Sequence, residues 1–191
     1  GYDLVQIEDL ATVVTALGQR FQINPKRVAL MGRGHGGFIA LRAVQAYPEL
    51  FRCAVALEPP VDVGDWLANQ RWNDEDVQPQ LTRGWLGDEA RLKAAPLTRE
   101  PEKVTKPILV LSYPGPDGAP RRPVYLAARR FASAVDRPDV TAQFVDLHQD
   151  YVQGLPAARA EVFDRIEAFL NEHIYDYKVK LRDLQILPDK K

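Results

Sequence analysis

A glycine-rich turn at residues 31–37, Met-Gly-Arg-Gly-His-Gly-Gly, is the segment of this chain whose residue types and spacing best suit chemistry. It lies between a predicted strand and a predicted helix, which is the arrangement of a nucleophile elbow, G-x-S-x-G-G. In such an elbow a serine hydroxyl attacks an acyl carbon, but Gly34 occupies the position of the serine. The turn therefore predicts the backbone of an acyl-transfer site without its nucleophile.

The same turn also fits the G-x-G-x-x-G fingerprint of dinucleotide-binding domains, through Gly32, Gly34 and Gly37. In that alternative the glycines let the backbone approach a pyrophosphate at the start of a helix. Glu58 follows the turn by about 20 residues, at the end of the next predicted strand, where an acidic residue would bind a ribose. The long helix predicted before the first strand counts against this alternative, because such domains generally begin near their first strand.

The elements that would position this turn alternate between helices and strands. We predict helices over 3–21, 35–47, 122–135 and 157–173, and strands over 27–31, 53–57, 107–113 and 140–148. Near-continuous apolar strands that alternate with helices predict an α/β fold with a mainly parallel sheet. Right-handed crossovers would place the four strands side by side in chain order.

Two further segments complete the organisation of the chain. Residues 62–96 are predicted to be irregular and contain the three tryptophans, Trp66, Trp72 and Trp85. We interpret residues 1–173 as one domain and residues 174–191 as a C-terminal extension, either an edge strand or a docked segment, because apolar and polar residues alternate along it.

Composition excludes several classes of function. The chain has 191 residues, 46% of them hydrophobic and 27% charged, with a net charge of -1. This balance gives no reason to expect a nucleic acid partner, and no apolar run approaches the length of a membrane span. Cys53 is the single cysteine, which excludes an intramolecular disulfide and a cysteine-based metal site. Neither a metal nor a cofactor is expected, and the cellular compartment stays open.

The segments around the turn, taken in order, resemble the C-terminal catalytic domain of the prolyl oligopeptidase family of serine peptidases. Dipeptidyl and acylaminoacyl peptidases are relatives in that family. The resemblance rests on the order and spacing of segments at 8–9, 25–32, 47–55, 58–62, 95–96, 104–111 and 165–170. It implies a partial α/β-hydrolase domain that corresponds to the C-terminal half of that fold.

The resemblance also implies the positions of a catalytic triad, which this family uses in the chain order Ser, Asp, His. Carried over by position, the serine falls at Gly34, the aspartate at Asp117 in the loop after the third strand, and the histidine at Tyr151. A phenol is a poor base at neutral pH because its reference pKa is about 10. Two replaced groups favour a natural pseudoenzyme over an active peptidase or esterase whose serine was removed by engineering.

The chain's own histidines are not expected to replace the lost base. His148 is interpreted as a strand-end residue, His35 points away from the nucleophile position, and His173 lies at a helix C-terminus, where a cation complements the helix dipole. Gly34 is expected to keep the strained backbone conformation of an elbow, because glycine has no Cβ to oppose it.

The resemblance further implies partners. The first strand would be interior in a complete domain of this fold, and one oxyanion donor would come from an upstream loop. We therefore expect either that the chain is a fragment or that an N-terminal segment or a second copy covers the open edge. The former active site is expected to bind a peptide or a small molecule.

Overall fold

The computed structural model describes residues 2–21, 24, 27–62 and 97–175. The predicted irregular segment beyond residue 62, with its tryptophans, and the extension beyond residue 175 lie outside these ranges. The helices are α1 (Tyr2–Phe21), α2 (His35–Ala46), α3 (Pro123–Val135), α4 (Gln149–Val152) and α5 (Pro156–His173). The strands are β1 (Ala29–Arg33), β2 (Cys53–Leu57), β3 (Ile108–Ser112) and β4 (Ala142–Asp146).

The four strands form one parallel sheet in the order β1-β2-β3-β4, which confirms the predicted α/β fold and strand order. The first strand begins at Ala29, two positions after its predicted start at Arg27, and continues to Arg33. The polar residues at its end belong to the strand because Arg33 still pairs with Leu57 of β2. Backbone pairing therefore extends this strand beyond its apolar stretch.

The core lies on both faces of the sheet, because alternate residues of a strand point to opposite sides. On one face, α1, α2 and α3 cover Ala54, Ile108 and Val110 with buried residues that include Phe38 and Phe131. On the other face, α5 covers the intervening strand residues with Val162, Ile166 and Phe169. All residues of β2 and β3 are buried, which explains why these strands read as continuous apolar runs.

β1 lies at one edge of the sheet and, among the described residues, pairs only with β2. Met31 on this strand is 60% exposed. Within the described ranges the outer edge of this strand is therefore unpaired, as expected for this chain, and the expectation that the strand is interior in a complete domain stays a prediction. None of the helices that the structure describes is long and apolar enough to cross a membrane.

Candidate functional site

The turn between β1 and α2 has the backbone of a nucleophile elbow. Gly34 adopts φ 57° and ψ -125°, a conformation that residues with a Cβ rarely adopt. Its N–H donates to the carbonyl of Leu57 at 2.8 Å, and its carbonyl accepts from the N–H of Phe38 at 3.1 Å. The elbow is thus tied to the end of β2 and to the first turn of α2, and the predicted glycine-favoured conformation is confirmed.

The glycines of the turn differ in what a side chain would meet. A Cβ on Gly32 would lie 2.2 Å from the carbonyl carbon and oxygen of Gly36, so β1 and α2 can cross here only without it. A Cβ on Gly34 would have none of the described residues within 4 Å. The described residues therefore leave room for a side chain at the predicted nucleophile position, where the backbone conformation favours glycine.

The other two predicted triad positions lie at the same edge of the sheet as Gly34. Asp117 follows β3, Tyr151 follows β4, and the carboxyl ends of parallel strands meet at one edge. Asp117 is exposed in its loop, whereas Tyr151 lies on α4, half-buried against the core covered by α5. Within the described chain no hydrogen bond joins the three positions, and their predicted catalytic correspondence stays a prediction.

Glu58 is a site residue whose role the sequence did not reveal. The dinucleotide alternative assigned its carboxylate to a ribose, but in the structure both carboxylate oxygens have protein partners. Oε1 accepts from the backbone N–H of Tyr113 at 2.6 Å, and Oε2 accepts from Nη1 of Arg122 at 3.1 Å. Tyr113 comes within reach of Glu58 because β3 lies beside β2. The only sign of this contact in the sequence is an acidic residue placed directly after a buried strand.

The described histidines have local roles. His148 caps α4, where its Nδ1 accepts from the N–H of Asp150 at 3.3 Å and lies 3.2 Å from the Asp150 carboxylate. The Nε2 of His35 lies 2.8 Å from Oε1 of Gln6, so this ring faces α1.

His173 lies in the last turn of α5, as predicted, but its surroundings oppose the cationic form. Its ring is buried against Phe169, with centroids 4.5 Å apart, and this burial lowers the pKa of His173. Glu172 opposes that change and Arg52 supports it. The side chain therefore stays neutral over more of the pH range than an exposed histidine, because the apolar surroundings make its charged form costly.

Neither thiol chemistry nor a metal centre is indicated by the described residues. Cys53 is buried in β2, and burial raises the pKa of its thiol to about 11, with a smaller opposing effect from Arg52. A thiol that stays protonated is a weak nucleophile. No group of three His, Cys, Asp or Glu side chains within the described ranges is placed to hold a metal ion.

The sequence of this chain matches a known protein family. The sequence model of the prolyl oligopeptidase family matches residues 2–175. The human acylamino-acid-releasing enzyme is 33% identical over 63 residues, which are 33% of this chain and 9% of that enzyme. The pig enzyme is 28% identical over 108 residues, 50% of this chain and 15% of the enzyme. The match thus spans only a small part of each relative's length.

Solved structures show the same fold. A puromycin-hydrolyzing peptidase of Mycobacterium tuberculosis superimposes with a TM-score of 0.69 at 18% identity, over 91% of this chain and 26% of that one. The acylaminoacyl peptidase of Pyrococcus horikoshii gives a TM-score of 0.67 at 14% identity, over 92% and 29%. These likenesses establish the α/β-hydrolase fold, and the family match over residues 2–175 shows that the chain belongs to the prolyl oligopeptidase family.

Proposed function

We propose that this chain is a non-catalytic member of the prolyl oligopeptidase family that binds a ligand at its former active site. The observation that carries the proposal is Gly34, whose backbone keeps the elbow conformation while no side chain is present to attack. Tyr151 at the position of the family's histidine supports it, because general-base activation of a nucleophile needs a group that accepts a proton near neutral pH.

The parts of the site that remain suit binding. The backbone N–H of the residue after the nucleophile is one of the two oxyanion donors in this fold, and His35 supplies it here. None of the described residues fills the space beside Gly34, and the elbow that presents it is fixed by two backbone hydrogen bonds. A carbonyl group of a bound peptide can accept from this N–H without being cleaved.

The names of the relatives support a proposal for the class of ligand. The curated relatives are named for the release of acylamino acids, and one structural neighbour for the hydrolysis of puromycin. An acylamino acid carries its acyl group on the amino nitrogen, and this is the feature that the proposed ligand keeps. We therefore propose a short N-acylated peptide, or a small molecule of similar chemistry, as the ligand of this site.

Two alternatives have less support. A dinucleotide would need Glu58 for its ribose, but Arg122 and the N–H of Tyr113 already engage that carboxylate. An engineered removal of the serine needs only one substitution, and Tyr151 would be an unexplained second change.

We also propose that an N-terminal segment or a second copy covers the outer edge of β1, because an unpaired strand edge readily pairs with another strand. Static light scattering of the isolated chain tests the second copy, with an expected mass above the 21.5 kDa of one chain. Mass spectrometry of the native protein identifies a co-purifying segment. A stable lone monomer in light scattering would contradict the second copy, and a native protein that has no additional segment and freely exchanging β1 amides would contradict the covering segment.

Binding and turnover together test the main proposal. Titration of the chain with N-acetyl-trialanine amide is expected to shift the backbone amide NMR signals of His35 and Gly36. The same peptide with a free N-terminus serves as control and is expected to bind more weakly. Cleavage of the acetylated peptide or of p-nitrophenyl acetate well above the protein-free rate would overturn the proposal, and so would the absence of any signal change.

A further inference from the structure

Two residues at the carboxyl edge of the sheet have backbone conformations that favour glycine, and they lie next to each other. Gly34 has φ 57°, and Glu58 has φ 51° as the one residue other than glycine with positive φ among those described. The N–H of Gly34 donates to the carbonyl of Leu57, which is the peptide group that leads into Glu58. Such a conformation is costly for a residue with a Cβ and persists only where the surroundings hold it.

The surroundings of Glu58 hold it on two sides. Its backbone N–H donates to the carbonyl of Leu111 at 2.8 Å, which extends the pairing of β2 with β3 by one residue. Its carboxylate turns to the same strand end, where Oε1 accepts from the N–H of Tyr113 at 2.6 Å. The positive φ thus lets backbone and side chain of one residue bind the end of β3 together.

The second carboxylate oxygen binds the far end of the following loop. Oε2 pairs with Nη1 of Arg122 at 3.1 Å, and the backbone N–H of Arg122 donates to the carbonyl of Pro114 at 3.1 Å. The Arg122 guanidinium also lies 5.9 Å from the ring centroid of Tyr113. The two ends of the 113–122 loop therefore meet at Glu58, whose side chain is only 17% exposed.

We infer that Glu58 is a positioning residue, which fixes the 113–122 loop against the elbow and so sets one wall of the proposed binding pocket. The loop carries Asp117 and borders the edge of the sheet at which Gly34 lies. A charged acceptor suits this task, because a carboxylate takes two donors at once and its bond to a guanidinium is stronger than a neutral one. The part that concerns the pocket rests on the proposed function.

Amide hydrogen exchange measured by NMR tests the positioning role without any ligand. In Glu58→Ala, the amides of Tyr113 and Arg122 are expected to exchange at least tenfold faster than in the wild type. Glu58→Gln, which keeps one acceptor, is expected to lie between the two. Amides in the middle of the sheet, such as Val55 and Val110, are expected to change less than twofold.

Two further variants make the result decisive. Arg122→Ala leaves the backbone of Glu58 untouched and is expected to loosen the same loop, which keeps the test valid if Glu58→Ala does not fold. Glu161→Gln removes an exposed carboxylate that faces Arg165 on α5 at 4.0 Å, and it is expected to leave the loop unchanged. Unchanged exchange in the loop, or equal acceleration across the whole sheet, would overturn the positioning role.

Binding of N-acetyl-trialanine amide separates this inference from the proposed function. If Glu58 shapes the pocket, Glu58→Ala weakens binding of this peptide at least tenfold while Glu161→Gln does not. Equal affinity in wild type and Glu58→Ala would overturn the role in the pocket and leave the proposed function standing. If the peptide does not bind to the wild type, both the proposed function and the role of Glu58 in the pocket are overturned. The exchange data still decide whether Glu58 holds the loop.

Discussion

The elbow after β1 and the segment after β4 both hold predicted triad positions, but the fold constrains them differently. Gly34 is bonded to β2 and α2 through its own backbone, and Gly32 lies in contact with Gly36 across the turn. The segment around Tyr151 is held mainly by local bonds, such as that between His148 and Asp150, and much of it is exposed. If catalysis is absent, as we propose, the packed turn still keeps its shape because its backbone bonds hold it, whereas only catalysis would require a histidine on α4.

The largest expected effect distinguishes two glycines within the elbow. Gly32→Ala would place a Cβ 2.2 Å from backbone atoms of Gly36, which cannot move without separating β1 from α2. We expect a loss of about 3 kcal/mol or more in the free energy of unfolding, measured by urea denaturation. Gly34→Ala adds the same methyl group at the other glycine and serves as the control. A smaller loss of unfolding free energy in Gly32→Ala than in Gly34→Ala would show that packing does not constrain the turn as described.

Gly34→Ser sharpens the comparison because it adds a side chain where no described residue lies within 4 Å of the new Cβ. The variant is expected to fold and to lose roughly 1–2 kcal/mol of stability, since only the positive φ opposes the new Cβ. Tyr151→His, in the loosely held segment, is expected to cost less than Gly34→Ser, about 1 kcal/mol or less, because only part of the Tyr151 ring packs against the core. An unchanged or higher denaturation midpoint for Gly34→Ser would contradict the strain assigned to the elbow.

Glu58 allows the strain to be separated from the hydrogen bonds. Glu58→Gly and Glu58→Ala both remove the carboxylate, but only glycine relieves the positive φ. We expect the glycine variant to be more stable than the alanine variant by about 0.5–1 kcal/mol in chemical denaturation.

The matched control for this pair lies on α5. At the exposed helical position Glu161, glycine is expected to be less stable than alanine by about 1 kcal/mol, so the sign reverses. The same sign at both positions would show that the conformation of Glu58 is not strained.

The smallest expected effect is the pH dependence contributed by His173. Burial makes the pKa of His173 lower in the folded chain than in the unfolded chain. The unfolded state therefore binds a proton first as the pH falls, and stability is lost from about pH 6.5 downward through the lower folded pKa.

His173→Phe removes this titration while keeping an aromatic ring beside Phe169. Denaturation midpoints measured between about pH 7.5 and pH 5 are expected to fall more in the wild type than in this variant. Equal slopes for the two proteins would show that His173 does not contribute to the acid sensitivity of the fold.

The comparison also shows where sequence reasoning succeeds and where it does not. The strands β2 and β3 could be predicted because burial on both faces leaves continuous apolar runs, and the elbow because its glycines have fixed spacing. The bonds of Glu58 to Tyr113 and Arg122 could not be predicted in this way. They depend on which strand lies beside β2 and on the positive φ of Glu58, and the residue types around Glu58 encode neither. The burial of His173 likewise depends on α5 packing against β2, which its terminal position in a helix does not reveal.

Labelling with a fluorophosphonate probe tests the central claim most directly, because the probe forms a covalent adduct with an activated serine. Intact mass spectrometry of the wild-type chain after incubation is expected to show the unmodified mass, since the elbow holds Gly34 and no hydroxyl. Peptide mapping locates any adduct that does form. A stoichiometric adduct on the wild-type chain would contradict the account, because an activated nucleophile would then exist outside the elbow.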